Sequence, residues 1–159
     1  MLTTPAFAAD KPTDPQIAHI AYTAGDIDIK AAKLALQKSQ NKDVRAFADD
    51  MVRDHQAVND KALALVKKLN VTPEDNATSK GLTEQAEKKS AELNKLSGAA
   101  FDKAYVDNEV AFHKTVDGAL ETTLIPSASN GELKGLLKTG LKIFKGHLAH
   151  AEHLASELK

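Results

Sequence analysis

Four stretches of the chain carry apolar residues at steps of three and four, the spacing of a helix that buries one face. The first begins where Asp14 and Pro15 read as an N-cap followed by an N1 proline. Its stripe runs Ile17, Ala21, Ala24, Asp28, Ala31 and Ala35, broadened by Ile20, Ile27 and Leu34. Ser39-Gln40-Asn41 interrupts it, and a second helix over about 42–69 follows, striped by Val44, Ala48, Met51, His55, Val58, Ala62, Leu65 and Leu69. A polar loop from Asn70 to Asn76 leads to a shorter, highly charged helix over about 79–96, anchored by Leu82, Ala86, Leu93 and Leu96. After Ser97-Gly98, Asp102 falls in the first turn of a third long helix, where a carboxylate complements the helix dipole. The inward face there reads Val106, Glu109, Val110, His113, Val116, Leu120 and Leu124. Pro126 and the polar run to Gly131 make the next turn. The last helix, about 131–158, carries Leu133, Leu137, Gly140, Phe144, His147, Ala151, Leu154 and Leu158.

Four long amphipathic helices and one short one predict an all-α fold, a four-helix bundle. The segment between the second and third long helices decides the topology. Its short helix spans ~25 Å, enough to return the chain to the end where the second helix began. The second and third long helices then run parallel, as in ferritin-like folds with one long crossover. A plain up-down-up-down bundle is the alternative.

In the crossover arrangement, four polar interruptions of the apolar stripes fall at one depth. At ~1.5 Å per residue, Asp28 and His147 lie about 16–17 Å from the common end, and His55 and His113 about 20–21 Å. Glu109 stands one turn before His113 and faces the same way. A ring of imidazoles and carboxylates inside a bundle is how helices hold a metal ion. His55, His113 and His147 are therefore the candidate metal ligands, with Glu109 and Asp28 as carboxylate partners. Nitrogen and oxygen donors without thiolate suit one transition-metal ion of the Zn, Cu, Fe, Mn or Ni group. The competing explanation is a metal-free polar layer in which the imidazoles hydrogen-bond to neighbouring helices. Asp54 reads as a surface residue or a support for a ligand, and Met51 as a core gap-filler. His150 lies on the flank of the stripe as an outer ligand or a bystander, while His19 and His153 read as surface residues.

Composition narrows the rest. The 159 residues contain no Cys, which removes disulfides, thiolate ligands and cysteine catalysis. A formal net charge of −1 gives no attraction to nucleic acid. No window approaches the ~20 apolar residues of a transmembrane helix. Lys134, Lys138, Lys142 and Lys145 form a basic strip that reads as a solvated face. There is no Gly-rich phosphate loop and no catalytic Ser/His/Asp arrangement, so binding is expected rather than turnover. Ala6-Phe7-Ala8 has the small-x-small pattern of a signal-peptidase site. Residues 1–8 are thus read as the remnant of a secretory signal, 9–14 as a disordered mature N-terminus, and 15–159 as a single bundle domain.

Several motifs are similar to those of an exported bacterial family of ferritin-like domains, domain of unknown function family 4142. They are Ala24-Gly25-Asp26-Ile27-Asp28 with Ala32-Lys33-Leu34-Ala35, and Val44-Arg45-Ala46-Phe47-Ala48 leading to Met51-Val52-Arg53-Asp54-His55. Leu96-Ser97-Gly98, Phe101-Asp102-Lys103-Ala104-Tyr105-Val106, His113 and His147-Leu148 complete the resemblance, which covers nearly the whole chain after residue 14. It implies an exported domain of ferritin-like topology and leaves the activity open. The chain departs from that family's pattern at Asp28, where Glu is usual, and at Phe112, where Asp is common. Glu-x-x-His pairs of the ferritin type are absent, so di-iron oxidase chemistry is not supported. The expectation is a periplasmic metal-binding bundle for sequestration, trafficking or stress tolerance. Its partners would be the ion and an envelope protein, with the chain a monomer or homodimer. The alternative is a metal-free envelope interaction module.

Overall fold

The structure, a computed structural model, describes residues 11–158. The expected signal remnant at 1–8 lies outside them. Six helices follow in order: α1 (Asp14–Lys38), α2 (Lys42–Lys68), α3 (Ala77–Asn94), α4 (Gly98–Ala119), α5 (Ile125–Ser127) and α6 (Gly131–Glu157). A π-helical turn, Leu120–Leu124, joins α4 to α5, and no strand occurs among the described residues. None of these helices is long and apolar enough to cross a membrane.

The caps fix where the helices begin. Thr13, not Asp14, is the N-cap of α1: its hydroxyl accepts from the Gln16 amide, and the Gln16 side chain accepts from the Thr13 amide. This frees the Asp14 carboxylate to accept from the backbone N–H groups of Ser129 and Asn130, at 2.8 and 3.0 Å, which ties the start of α1 to the α5–α6 turn. Asn41 caps α2, Asn76 caps α3 and Asn130 caps α6. α4 starts at Gly98, so Asp102 lies beyond its first turn and is buried rather than set against the dipole.

Contacts made by α3 settle the topology. At its start, Glu74 N–H donates to the Pro15 carbonyl at 2.9 Å, and His19 Nδ1 lies 2.8 Å from Ser79 Oγ. At its end, Lys38 Nζ donates to the Asn94 carbonyl at 2.9 Å. The short helix therefore runs parallel to α1 and carries the chain back to the turn that joins α1 to α2. There α4 sets out parallel to α2, the ferritin-like order expected from the crossover length.

The interior divides at the level of the polar residues. In the half closed by the α1–α2 turn, Phe47, Met51, Phe101, Tyr105 and Val106 are all at 0% exposure. The other half is built from Ile17, Ile20, Leu120, Leu124, Leu133, Leu137 and Phe144. It lines a largely apolar cavity of about 130 Å³ that opens in part to the surface.

Buried positions track the predicted stripe closely on α6, where its members from Leu133 to Leu154 are all buried and Leu158, just past the helix, is half-buried. On α1 the buried arc includes Ile29 and Ala32, while Ile27, Ala31 and Leu34 are half-buried. That helix packs against α2, α3 and α4, so its covered arc is wider than a single stripe. On α2, Asn59 and Val66 are buried, and Val58, Ala62 and Leu65 are half-buried.

Candidate metal centre

The helices bring Asp28, His55, Glu109, His113 and His147 together, each 6% exposed or less. Ring centroids stand 5.7 Å apart for His55 and His113, 5.3 Å for His55 and His147, and 5.6 Å for His113 and His147. One nitrogen from each imidazole falls in a group whose members all lie within 4.8 Å of one another. A second group of the same compactness joins one atom each of Asp28, Glu109 and His113. Nitrogens sharing one ion at ~2.0–2.1 Å stand ~3.4 Å apart, so these spacings are within reach of small side-chain rotations.

Local partners decide which nitrogen each ring offers. His113 Nδ1 donates to the Glu109 backbone carbonyl at 2.9 Å. His147 Nε2 donates to Asp54 Oδ2 at 2.8 Å. Both partners only accept, so these nitrogens carry the proton, and in the neutral rings His113 Nε2 and His147 Nδ1 hold lone pairs. Neither of those two atoms has a hydrogen-bond partner. For His55, Nε2 lies 2.8 Å from Asp28 Oδ2, yet neither of its nitrogens makes an aligned hydrogen bond. Phe144 stacks on the His55 ring at 4.6 Å and 17°, holding its plane.

Electrostatics favour the neutral, ligating form of two of the rings. Burial depresses His113 against the opposing pull of Asp28, and burial likewise depresses His147 against Asp54, so both rings are neutral at neutral pH. The carboxylates split. Burial would raise Asp28, but the charge and contact of His55, together with Glu109 and His113, outweigh it and hold Asp28 well below the usual carboxylate range. Burial and the Asp28 charge push Glu109 far up, so it keeps its proton.

Two contributors escape a reading by stripes. Asp54 sits beside α6 and orients His147, the carboxylate–histidine pairing that supports metal sites. Burial raises its carboxyl, but hydrogen bonds from Arg53 and His147 outweigh that and bring it below its ordinary value. Tyr105, one turn before Glu109, is buried with its hydroxyl unpartnered. Burial above all, with the Asp28 charge adding to it, raises the phenol well above its normal value. The spacing Tyr105, Glu109, His113, Asp117 at every fourth residue was the available signal.

The other candidates separate from the cluster. Met51 is fully buried in the aromatic half of the core. His150 is exposed and packs edge-on against Phe47, with centroids 5.1 Å apart. His19 pairs with Ser79, and exposed His153 with Glu157. A cleft of about 520 Å³ beneath α3, with Thr83, Glu87 and Ser90 on one wall, reaches Asp28 and Glu109 from the surface.

A helical bundle with a buried layer of three imidazoles and two carboxylates defines the class of protein. The chain belongs to the family described as domain of unknown function (DUF4142), whose pattern matches residues 2–154. Among solved structures it is similar to a DUF305 fragment from Deinococcus radiodurans, with a TM-score of 0.77 at 14% identity over 92% of this chain and 99% of that one. It is also similar to CopM in the Cu(II)-bound form, with a TM-score of 0.71 at 11% identity over 94% of this chain and 99% of that one. At such identities the likeness shows the fold alone. Comparison with curated protein sequences returns no match.

Proposed function

We propose that this bundle binds one transition-metal ion through His55, His113 and His147, with Asp28 as a carboxylate ligand and Glu109 as a ligand or orienting acceptor. The observation that carries the reading is the gathering of unpaired buried polar atoms at one level. His55 Nδ1, His113 Nε2 and His147 Nδ1 have no hydrogen-bond partner, and the buried oxygens of Asp28 and Glu109 make no aligned hydrogen bond, His55 Nε2 meeting only the Asp28 carboxylate at 2.8 Å. The large majority of buried side-chain polar atoms in proteins are paired, so such a concentration marks a place where a cation would satisfy them. Three imidazoles and a carboxylate accept Zn, Cu, Fe, Mn or Ni. The Cu(II) in the description of the structural relative makes copper the first ion to try. The cleft beneath α3 offers a route inward.

The role fits sequestration, trafficking or stress tolerance rather than turnover, with export inferred from Ala6-Phe7-Ala8. The test is metal content by mass spectrometry of untagged protein purified without chelator. About one equivalent in the native chain and none in His55→Ala/His113→Ala is expected. Equal, sub-stoichiometric metal in both would sink the proposal. A saturating ion should also raise the Tm by about 5–10 °C. The metal-free interaction module, favoured only by the His113 and His147 hydrogen bonds, predicts no change in Tm.

A further inference from the structure

The cavity in the second half of the bundle is unlike the surface cleft in its chemistry. Small residues on α1 and α6, among them Ala18, Ala24 and Gly140, leave it open, and Val58, Leu120 and Leu137 form its walls. Buried His55 and His113 are among its lining residues, as are exposed Thr78 and Thr115 and half-buried Ala62. An ordered water needs two to four polar partners, and a cavity walled almost entirely by hydrocarbon stays dry and takes an apolar guest. Asn59 is the one amide on its wall, and its Nδ2 is already engaged with the Tyr22 carbonyl at 3.3 Å. A volume of about 130 Å³ suits a molecule of roughly benzene's size.

We propose that this half of the bundle is a binding chamber for a small, uncharged, apolar molecule, seated between α1, α2, α4 and α6 with its inner edge against His55 and His113. The chamber does not depend on a metal. Its contact with two of the imidazoles gives its occupant a place beside them. A charged molecule is disfavoured, because the few polar groups on the wall cannot replace the water it would lose.

The experiment uses the full chain stripped of metal by chelator and dialysis. Benzene is the probe, and benzoate the charged control of the same shape. A saturable rise in Tm of about 3–5 °C is expected once benzene exceeds its Kd tenfold, with none from benzoate. Xenon should shift the methyl resonances of Val58, Leu120 and Leu137 but leave those of Val44 and Val106 in place. Ala24→Leu, which fills the chamber, should abolish both responses. Should Ala24→Leu fail to fold, Gly140→Ala replaces it as a milder plug, since its Cβ would lie 3.4 Å from the Phe144 ring and 3.9 Å from Val58. It should weaken benzene binding about tenfold. No saturable rise and no xenon shift overturns the proposal. So does a rise of equal size with benzoate, or an unchanged benzene response in the folded plugged variant.

Discussion

The two halves of this bundle bury similar kinds of residue to different effect. On one side of the His/carboxylate layer, Phe47, Phe101 and Tyr105 interlock, with Phe101 and Tyr105 stacked at 6.1 Å and Phe47 edge-on to Tyr105 at 6.2 Å. On the other, Leu and Ile side chains surround an unfilled volume of about 130 Å³. A void of that size forgoes about 3 kcal/mol at ~24 cal/mol per Å³. The contrast teaches that polar side chains mid-bundle are supported unequally: rigid aromatic packing lies on one side, and room for side chains to move on the other. The π turn belongs to the hollow half. Ile125 N–H donates to Leu120 O, and Leu120 and Leu124 both line the cavity. Pro126 follows directly, and its ring would crowd the carbonyl four residues back in a regular helix, which the wider turn relieves.

The sharpest way to break the comparison is to truncate one anchor in each half. Phe47→Ala removes a fully buried ring from the packed half, and a loss of about 4 kcal/mol is expected. Leu137→Ala removes a side chain that already borders empty space, so fewer contacts disappear and about 2 kcal/mol should go. Urea unfolding followed by helix circular dichroism measures both. Equal losses would mean that the cavity is closed by side-chain motion in solution.

Much of this was legible in the sequence, and the exceptions share a cause. His55, His113 and His147 stood out because each breaks an apolar stripe, and depth along a helix is fixed by its constant rise. The crossover followed from the length of one connecting segment. Asp54 read as either a surface residue or a support for a ligand, because the choice depends on the lateral angle at which α2 meets α6 rather than on depth. Tyr105 looked like any core aromatic. The cavity was illegible in principle, since Ala18, Ala24 and Gly140 permit either a close helix approach or a hollow. Only the interhelical distance decides between them.

Two glycines sharpen the same contrast at smaller scale. A Cβ on Gly25 would clash with Asn59 Oδ1, where α1 and α2 touch beside the layer. Gly25→Ala must displace the buried Asn59 amide from the Tyr22 carbonyl, at a cost of about 1–3 kcal/mol. A Cβ on Gly140 meets only ordinary contacts. Gly140→Ala should therefore stabilise by about 0.5–1 kcal/mol through reduced backbone entropy in the unfolded chain. Thermal melts of the two variants should move in opposite directions. A loss of stability in both would show that the hollow half is tighter than its geometry.

A pH-dependent effect of similar size concerns Asp117, one turn beyond His113 on α4. Its carboxylate is 5% exposed, and neither oxygen has a hydrogen-bond partner. Burial raises its pKa from 3.8 to about 6; Lys145 and His55 pull it down and Glu121 pushes it up. Because the folded value exceeds the unfolded one, the stability this group contributes is fully present below about pH 3.8 and is lost as pH rises through about 6. Lys145 is paired with Glu121 at the surface, so solvent reaches this edge and the loss should be about 1 kcal/mol rather than the full value of the shift. Asp117→Asn removes the ionisation. Relative to the native chain it should gain about 2–4 °C in Tm at pH 8 and nothing at pH 3.5. The paired surface residue Asp26, which holds Lys30 at 2.9 Å, supplies the contrast, since Asp26→Asn should gain nothing at pH 8. A pH-independent difference for Asp117→Asn would mean that its carboxylate finds water or a partner cation in solution, and that the edge of the polar layer is wetter than its core.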